Sequence, residues 1–311
     1  MRLLSLSGMI PEQVCDVVRF TSYKGCESIS HYCGYASDYI SQVIEDDNID
    51  GAVFPRSCDS SRIIGNYLKE VDKFIYHMNI PARQDDVAID YLSSVIKDYK
   101  DKVEKYYDVR LRDIDERSHL INCRNKTLSD IYENIHELSY EQYIKNIHMM
   151  LKQPLKEQRV VTPCVQKAGK KIYIVGSFLS NADIIRIIES AGLCIVGDNL
   201  TESKRLFSAP VVEPGKEIYH NISKSILHNK LSPSMNNFRS ILMGDLDEIK
   251  KKDVKGVIYI TQKYCEPYDY MYSVYKKMLD ENGIPLLRIS STSSSDTRIS
   301  ELAIEAFEQM I

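Results

Sequence analysis

Eight cysteines, Cys15, Cys26, Cys33, Cys58, Cys123, Cys164, Cys194 and Cys265, are the residues best equipped for chemistry in this chain. Their thiolates are soft metal ligands and strong nucleophiles. No CxxC pair occurs, and the spacing is that of neither a zinc ribbon nor a bacterial ferredoxin. A metal here must be held by cysteines that the fold brings together. Two of them stand where an open parallel sheet offers its ligand site, just beyond the carboxyl end of a strand. Cys58 follows the run Gly51-Ala52-Val53-Phe54-Pro55 and precedes Asp59-Ser60-Ser61, a helix start whose N-terminus favours a thiolate. Cys265 follows Val257-Ile258-Tyr259-Ile260 in the same way, within Lys263-Tyr264-Cys265-Glu266-Pro267. Cys33 lies in the polar and aromatic stretch Ser30-His31-Tyr32-Cys33-Gly34-Tyr35, ahead of a helix that leads to Asn48. Cys194 inside a strand and Cys123 inside a helix read as small buried hydrophobes.

Read singly, each cysteine also fits a free thiol with no role. What sets Cys58 and Cys265 apart is that they occupy matching strand-end loops in two different α/β units. Their neighbours have two readings each. Ser57, Asp59 and Ser60 cap the adjoining helix or donate hydrogen bonds to whatever Cys58 holds. Glu266 is a base at the site or an exposed loop carboxylate. Lys204 and Arg205 are a solvated basic pair or a phosphate contact. His31 reads as a surface histidine and His77 as a satisfied core residue.

The elements that must position these residues are short apolar runs, each followed by a helical pattern. They lie at residues 50–55, 74–81, 171–176, 193–197, 256–260 and 284–289. Strands alternating with helices, without hairpin turns between them, predict parallel sheets covered on both faces. Residues 84–152 carry dense charge, a Leu or Ile every three or four positions and no Pro or Gly, which predicts an insertion of several helices. Pro154 and the stretch from Thr162 to Lys170 read as a crossing between units. The expectation is an α/β chain of two Rossmann-like or flavodoxin-like parallel-sheet domains with a helical insertion. The first spans residues 1–155, including the tract 84–152, and the second residues 156–311.

Composition closes several alternatives. Forty basic against forty-four acidic residues, a net charge of −4, argue against a broad nucleic-acid-binding surface. No apolar run is long enough to span a bilayer. The opening MRLLSLSGMI reads as mature protein and not as a signal peptide. Free cysteines without a secretion signal then suggest a reducing, cytoplasmic setting. A P-loop needs glycine five residues before its Gly-Lys pair, yet Cys164 and Pro210 hold that place before Gly169-Lys170 and Gly215-Lys216. If the function needs ATP, another protein hydrolyses it.

Taken in order, these segments resemble a family. Asn48 through Ser60, containing Cys58, is similar to the second cysteine motif of the 2-hydroxyacyl-CoA dehydratase and benzoyl-CoA reductase iron–sulfur subunits. Val257 through Asp269, containing Cys265, then Asn282-Gly283-Ile284-Pro285-Leu286-Leu287, resembles the third. Cys33 falls where the first family cysteine does. Ile80-Pro81-Ala82-Arg83, Asn122-Cys123-Arg124, Lys171 through Ser177, Glu189 through Asp198 and the closing Ile304 through Met310 match in the same order. The segment from Pro11 to Phe20 resembles a contracted opening helix and strand.

The resemblance implies that Cys33, Cys58 and Cys265 hold a [4Fe-4S] or larger iron–sulfur cluster with one iron left open. It implies one-electron, ketyl-radical chemistry on an acyl-CoA or another small molecule, with Glu266 and Ser57 as candidate catalytic groups. The partners it implies are a homologous second subunit, in a homo- or heterodimer, and an activator ATPase as electron donor; no nucleic acid or membrane is among them. The activity expected is a lyase or reductase subunit. Two alternatives remain at this level, a double-cubane-type reductase or electron carrier acting on a non-CoA substrate, and a cluster-free structural partner.

Overall fold

The computed structural model describes residues 2–5, 8–19, 33–158, 168–177, 179, 183–229, 238–291 and 297–311. Among these residues the strands form two four-stranded sheets, parallel throughout. The first contains β1 (Leu3–Ser5), β2 (Val17–Arg19), β3 (Gly51–Pro55) and β4 (Phe74–Met78), in the order β2-β1-β3-β4. The second contains β5 (Lys170–Gly176), β6 (Leu193–Asn199), β7 (Gly256–Gln262) and β8 (Leu286–Ser291), in the order β6-β5-β7-β8. The same topology therefore occurs twice. In each sheet the winding reverses between the two central strands, and a crevice opens beyond their carboxyl ends at that switch point. This is the α/β architecture of two parallel sheets that the alternating pattern predicts.

The central strands β3 and β7 are buried along their whole length, as unbroken apolar runs require when helices cover both faces. β5 and β7 approach so closely at Gly176 that a Cβ there would lie 2.2 Å from the Ile260 carbonyl oxygen, so only glycine fits. On one face of the first sheet pack α1 (Gly34–Glu45) and α2 (Asp59–Tyr67), through Tyr39, Ile40 and Ile64. The Tyr39 hydroxyl donates to the Leu4 carbonyl at 2.6 Å, tying α1 to β1. The other face is covered by α3 (Asp86–Tyr107), which begins with the Asp85 side chain accepting from the Ala88 N–H at 3.0 Å. It ends at Asp108, in the left-handed region with φ 52°.

The tract after α3 does not stay with the first sheet. The end of α4 (Ile114–Glu133) and all of α5 (Tyr140–Lys152) supply Leu128, Tyr132, Tyr143 and Ile147 to the core of the second sheet. There they join α6 (Asp183–Ser190) and α10 (Thr297–Met310), while α8 (Phe238–Lys251) and α9 (Glu266–Glu281) cover the opposite face. In return α7 (Ile218–His228), from the second half of the sequence, packs Ile222, Ile226 and Leu227 into the core of the first sheet against α3. The halves interlock, each holding helices from the other. No helix among the described residues is long and apolar enough to cross a membrane.

Candidate metal centre

Three helices start at the site, and a cysteine occupies the N-cap of each. Cys33 caps α1, Cys58 caps α2 and Cys265 caps α9. Each cysteine carbonyl already accepts from the helix it opens. Cys33 accepts from Ser37 N–H at 3.2 Å, Cys58 from Arg62 N–H at 3.0 Å, and Cys265 from Asp269 N–H at 3.1 Å. This position ordinarily carries Ser, Thr, Asp or Asn. A thiol there faces the unsatisfied N–H groups and the positive end of the helix dipole, which stabilise a thiolate or a bound anionic group.

Cys58 follows β3 and Cys265 follows β7, the equivalent central strand of the other sheet, so both lie at switch points. The three thiols are near enough for charge on one to act on the others. Burial pushes the Cys265 thiol well above the ordinary thiol range, and negative charge on Cys33 and Cys58 pushes it further. Burial likewise raises Cys33; the Ala36 N–H and the Ser60 hydroxyl oppose that shift, and the Cys58 charge adds to it. Cys33 is 8% exposed, while Cys58 and Cys265 are half-buried. Cys265 packs against both the Cys33 side of the first core and the α9 side of the second, bridging the sheets.

Ionising all three of these thiols together is costly unless a cation relieves it. Among the described residues no group of three or more His, Cys, Asp or Glu is gathered tightly enough for a single ion. A polynuclear cluster needs wider spacing, its thiolates roughly 6–7 Å apart for metal–sulfur bonds of about 2.3 Å. Two buried polar side chains also stand at the strand ends. The Ser177 hydroxyl, just past β5, reaches the Cys265 thiol and opposes the rise in its pKa, while neither end of the Gln262 side chain, at the tip of β7, has a hydrogen-bond partner. A hydroxyl and an unpaired amide N–H so placed suit the inorganic sulfides of a cluster. The residues present fit that group.

The neighbouring residues divide between roles. Ser61 is the structural cap: its Oγ accepts from Ser57 N–H at 3.2 Å and Cys58 N–H at 3.1 Å. It also donates to the Cys58 carbonyl at 2.9 Å. Ser60 reaches Cys33, and Asp59 forms an exposed ion pair with Arg62 at 3.2 Å. Ser57 and Glu266 both line a cleft of about 420 Å³ that opens at Cys58, with Phe238, Pro267, Tyr270 and Met271 as its apolar wall. Glu266 is exposed there.

Before Cys265, Tyr264 adopts φ 65°, a left-handed conformation costly for an aromatic residue. No sequence signal marks it. Ser177 was within reach of the strand-end rule that singles out Cys58, since it directly follows Gly176.

The other thiols lie elsewhere. Cys15 is buried, its sulfur 3.0 Å from the Tyr99 hydroxyl, and burial pushes it up to about 11. Cys194 is buried near the amino end of β6, the end of the sheet away from the switch point. Cys123 is exposed, contrary to its reading as a small buried hydrophobe; the buried stripe of α4 runs through Ser118, Ile121, Arg124 and Leu128 instead. Lys204 and Arg205 are not a solvated basic pair. Arg205 is 2% exposed and donates to Asn199 Oδ1 at 2.5 Å, and Lys204 pairs with Glu248. His77 is half-buried against the Phe54 ring. Cys26, Cys164 and His31 lie outside the described residues.

Comparison with known proteins decides the family. Residues 2–311 match the 2-hydroxyglutaryl-CoA dehydratase D-component family. The chain belongs to it. A curated relative of this D-component, the (R)-phenyllactyl-CoA dehydratase beta subunit of Clostridium sporogenes, is 20% identical over 288 residues, covering 86% of this chain and 76% of that protein. A crystal structure of a mutation variant of SsGBP aligns over 99% of this D-component and 97% of that chain, at 12% identity and a TM-score of 0.26. That likeness is too slight to bear on fold or function.

Proposed function

We propose that Cys33, Cys58 and Cys265 hold an iron–sulfur cluster, and that this D-component is the cluster-bearing subunit of a 2-hydroxyacyl-CoA dehydratase. One observation carries the reading. Three cysteines cap three helices, two of them at equivalent switch points, and all three are near enough for their charges to act on one another. When bound, a [4Fe-4S] cluster held by three thiolates supplies one-electron reduction and an iron position that no protein ligand closes.

The chain's own residues supply the rest. Backbone N–H groups at the three helix starts, with Ser60 and Ser177, stabilise negative charge on the thiolates and sulfides. The apolar wall of Phe238, Pro267, Tyr270 and Met271 takes the acyl part of a substrate and excludes water beside Cys58. Glu266 would accept a proton at its carboxylate, and the Ser57 hydroxyl would orient a polar group of the substrate in the cleft. The strands divide near residue 155 into two α/β units that exchange helices and share the cleft. A homologous second subunit completes the enzyme, a reading supported by the relative's being a beta subunit. A separate activator ATPase in the same cytoplasmic, reducing setting supplies the electron, since no P-loop is present among the sequence's Gly-Lys pairs.

Iron and sulfide counts on anaerobically purified protein test the reading. About four irons per chain are expected if the cluster is a cube. Cys58→Ala should lose them, and Cys123→Ala should keep them. A Cys58→Ala protein with wild-type iron content refutes the site.

A further inference from the structure

Beside the cysteine cleft, between α2 and β4, lies a second concavity of about 540 Å³. Its wall is cationic. Arg56, Arg62, Lys69 and Lys73 line it together with His77, and no carboxylate does. This is a local concentration and not part of a generally basic surface, because the chain as a whole carries a net charge of −4.

The cations are not equally committed. Lys73 Nζ donates to the Val43 carbonyl at 2.8 Å and the Asp46 carbonyl at 2.9 Å, securing the end of α1. Arg62 pairs with Asp59 at 3.2 Å, but both side chains are largely exposed, and such a pair is exchanged at little cost. The side chains of Arg56 and Lys69 have no hydrogen-bond or ion-pair partner among the described residues. Both are close enough to His77 for their charges, after its own burial, to hold that imidazole below its ordinary range. The ring lies flush on α2 because residue 65 is glycine; a Cβ there would lie 1.7 Å from His77 Cε1. Two uncommitted cations, an exchangeable third and a tightly packed imidazole thus share one groove. Like charges so placed repel one another until an anion enters.

We propose that this groove binds a phosphate-bearing ligand, with Arg56 and Lys69 as its main contacts and Arg62 as the third. The planar fork of Arg56 matches two phosphate oxygens at once, and Lys69 adds a point charge. Arg62 also lines the cleft at Cys58, so the two concavities meet at its side chain. A ligand anchored by phosphate in the groove can extend an apolar arm past Arg62 to the wall of Phe238, Tyr270 and Met271. The groove contains no cysteine, and its occupancy does not depend on iron.

Isothermal titration of the intact protein with pyrophosphate, ADP and coenzyme A tests the proposal. At low ionic strength all three should bind, and Arg56→Ala and Lys69→Ala should each weaken binding about tenfold, the size of one lost charge-assisted contact. Both residues are exposed, so circular dichroism should show both variants folded. Coenzyme A binding more than about tenfold tighter than ADP assigns the phosphate to the tail of a thioester-type ligand. Equal affinities assign it to a free nucleotide or inorganic phosphate. Absence of binding by all three at millimolar concentration overturns the proposal, as does binding that survives both substitutions. Iron counted on the same preparation separates this groove from the cluster: phosphate binding without iron leaves the groove standing alone, and iron without phosphate binding removes only the groove.

Discussion

Wild-type protein should lose stability between pH 6.5 and pH 8, and replacing Glu202 with Gln should abolish that loss. Burial pushes the Glu202 carboxyl up to about 8, with the Asp198 charge adding to the shift and the Leu179 N–H opposing it. Burial also takes His148, whose Nε2 is 4.0 Å from Glu202, down to about 4, helped by the Lys152 charge. Close as they are, the two groups meet at neutral pH as a neutral acid and a neutral imidazole, not as an ion pair.

The sign follows from proton counting. In the window above the ordinary histidine value of 6.5 and below about 8, unfolded Glu202 is ionised while folded Glu202 still holds its proton. The folded state binds more protons, so stability is greater at the acid end and falls as pH rises. One and a half pH units at 1.36 kcal/mol each give a loss of about 2 kcal/mol. Below pH 6.5 the unfolded state gains a proton on His148 that the folded state lacks, and this offsets Glu202, so the decline should begin near that value. Asp245, pushed up to about 6, titrates below the window.

Urea midpoints across pH 6 to 8.5 read the effect directly. In the wild type Leu179 N–H lies 2.5 Å from Glu202 Oε1, and the side-chain carbonyl that Glu202→Gln introduces can still accept from it. The variant should therefore keep the contact and lose the slope. Equal slopes for wild type and Glu202→Gln would refute the reasoning. The segment at stake also carries the site: Thr201 N–H donates to the Ser177 carbonyl at 2.7 Å, and Ser177 is the hydroxyl turned toward Cys265.

Two further outcomes follow from packing. Gly65→Ala should cost about 1–3 kcal/mol in urea unfolding, because its Cβ meets the His77 ring, and adding His77→Ala should restore most of that loss. Arg124→Met should cost about 3–5 kcal/mol by stranding the Glu12 carboxylate, which it contacts at 2.6 Å with both side chains buried. Glu12→Leu in the same chain should recover most of it; a single-variant cost below about 1 kcal/mol would show that the pair is not desolvated.

The parts of this structure that were legible in the sequence are those set by local rules. Unbroken apolar runs ending in Pro55, Gly176 and Ile260 mark strands buried on both faces, and Asp59-Ser60-Ser61 marks the start of α2 and hence the position of Cys58. The central strand β1 left no such mark, because Leu3–Ser5 is three residues long and too short for periodicity. Arg205 reads as solvated on residue type alone. Its burial depends on Asn199 and on the Asp245 carboxylate, which is supplied by α8 and accepts from Asn199 at 2.5 Å, and nothing near Arg205 in the sequence announces that. The groove at Arg56 and Lys69 was hidden for a related reason. Its cations come from a strand end and a helix end that only the sheet brings together.

The exchange of helices between the two sheets has a mechanical consequence. In many two-sheet proteins, ligand entry is a hinge motion of one lobe against the other, because few packed side chains cross the boundary. Here α7 is wedged into the first core and α5 into the second, so a hinge would have to pull Ile222, Leu227, Tyr143 and Ile147 out of buried positions. The spacing between the switch points is therefore stiff. The cluster proposed for this site would change charge in such a frame with little rearrangement of its ligands, and the proposed substrate would enter along the surface, through local displacement at the cleft wall, with no opening of the whole molecule.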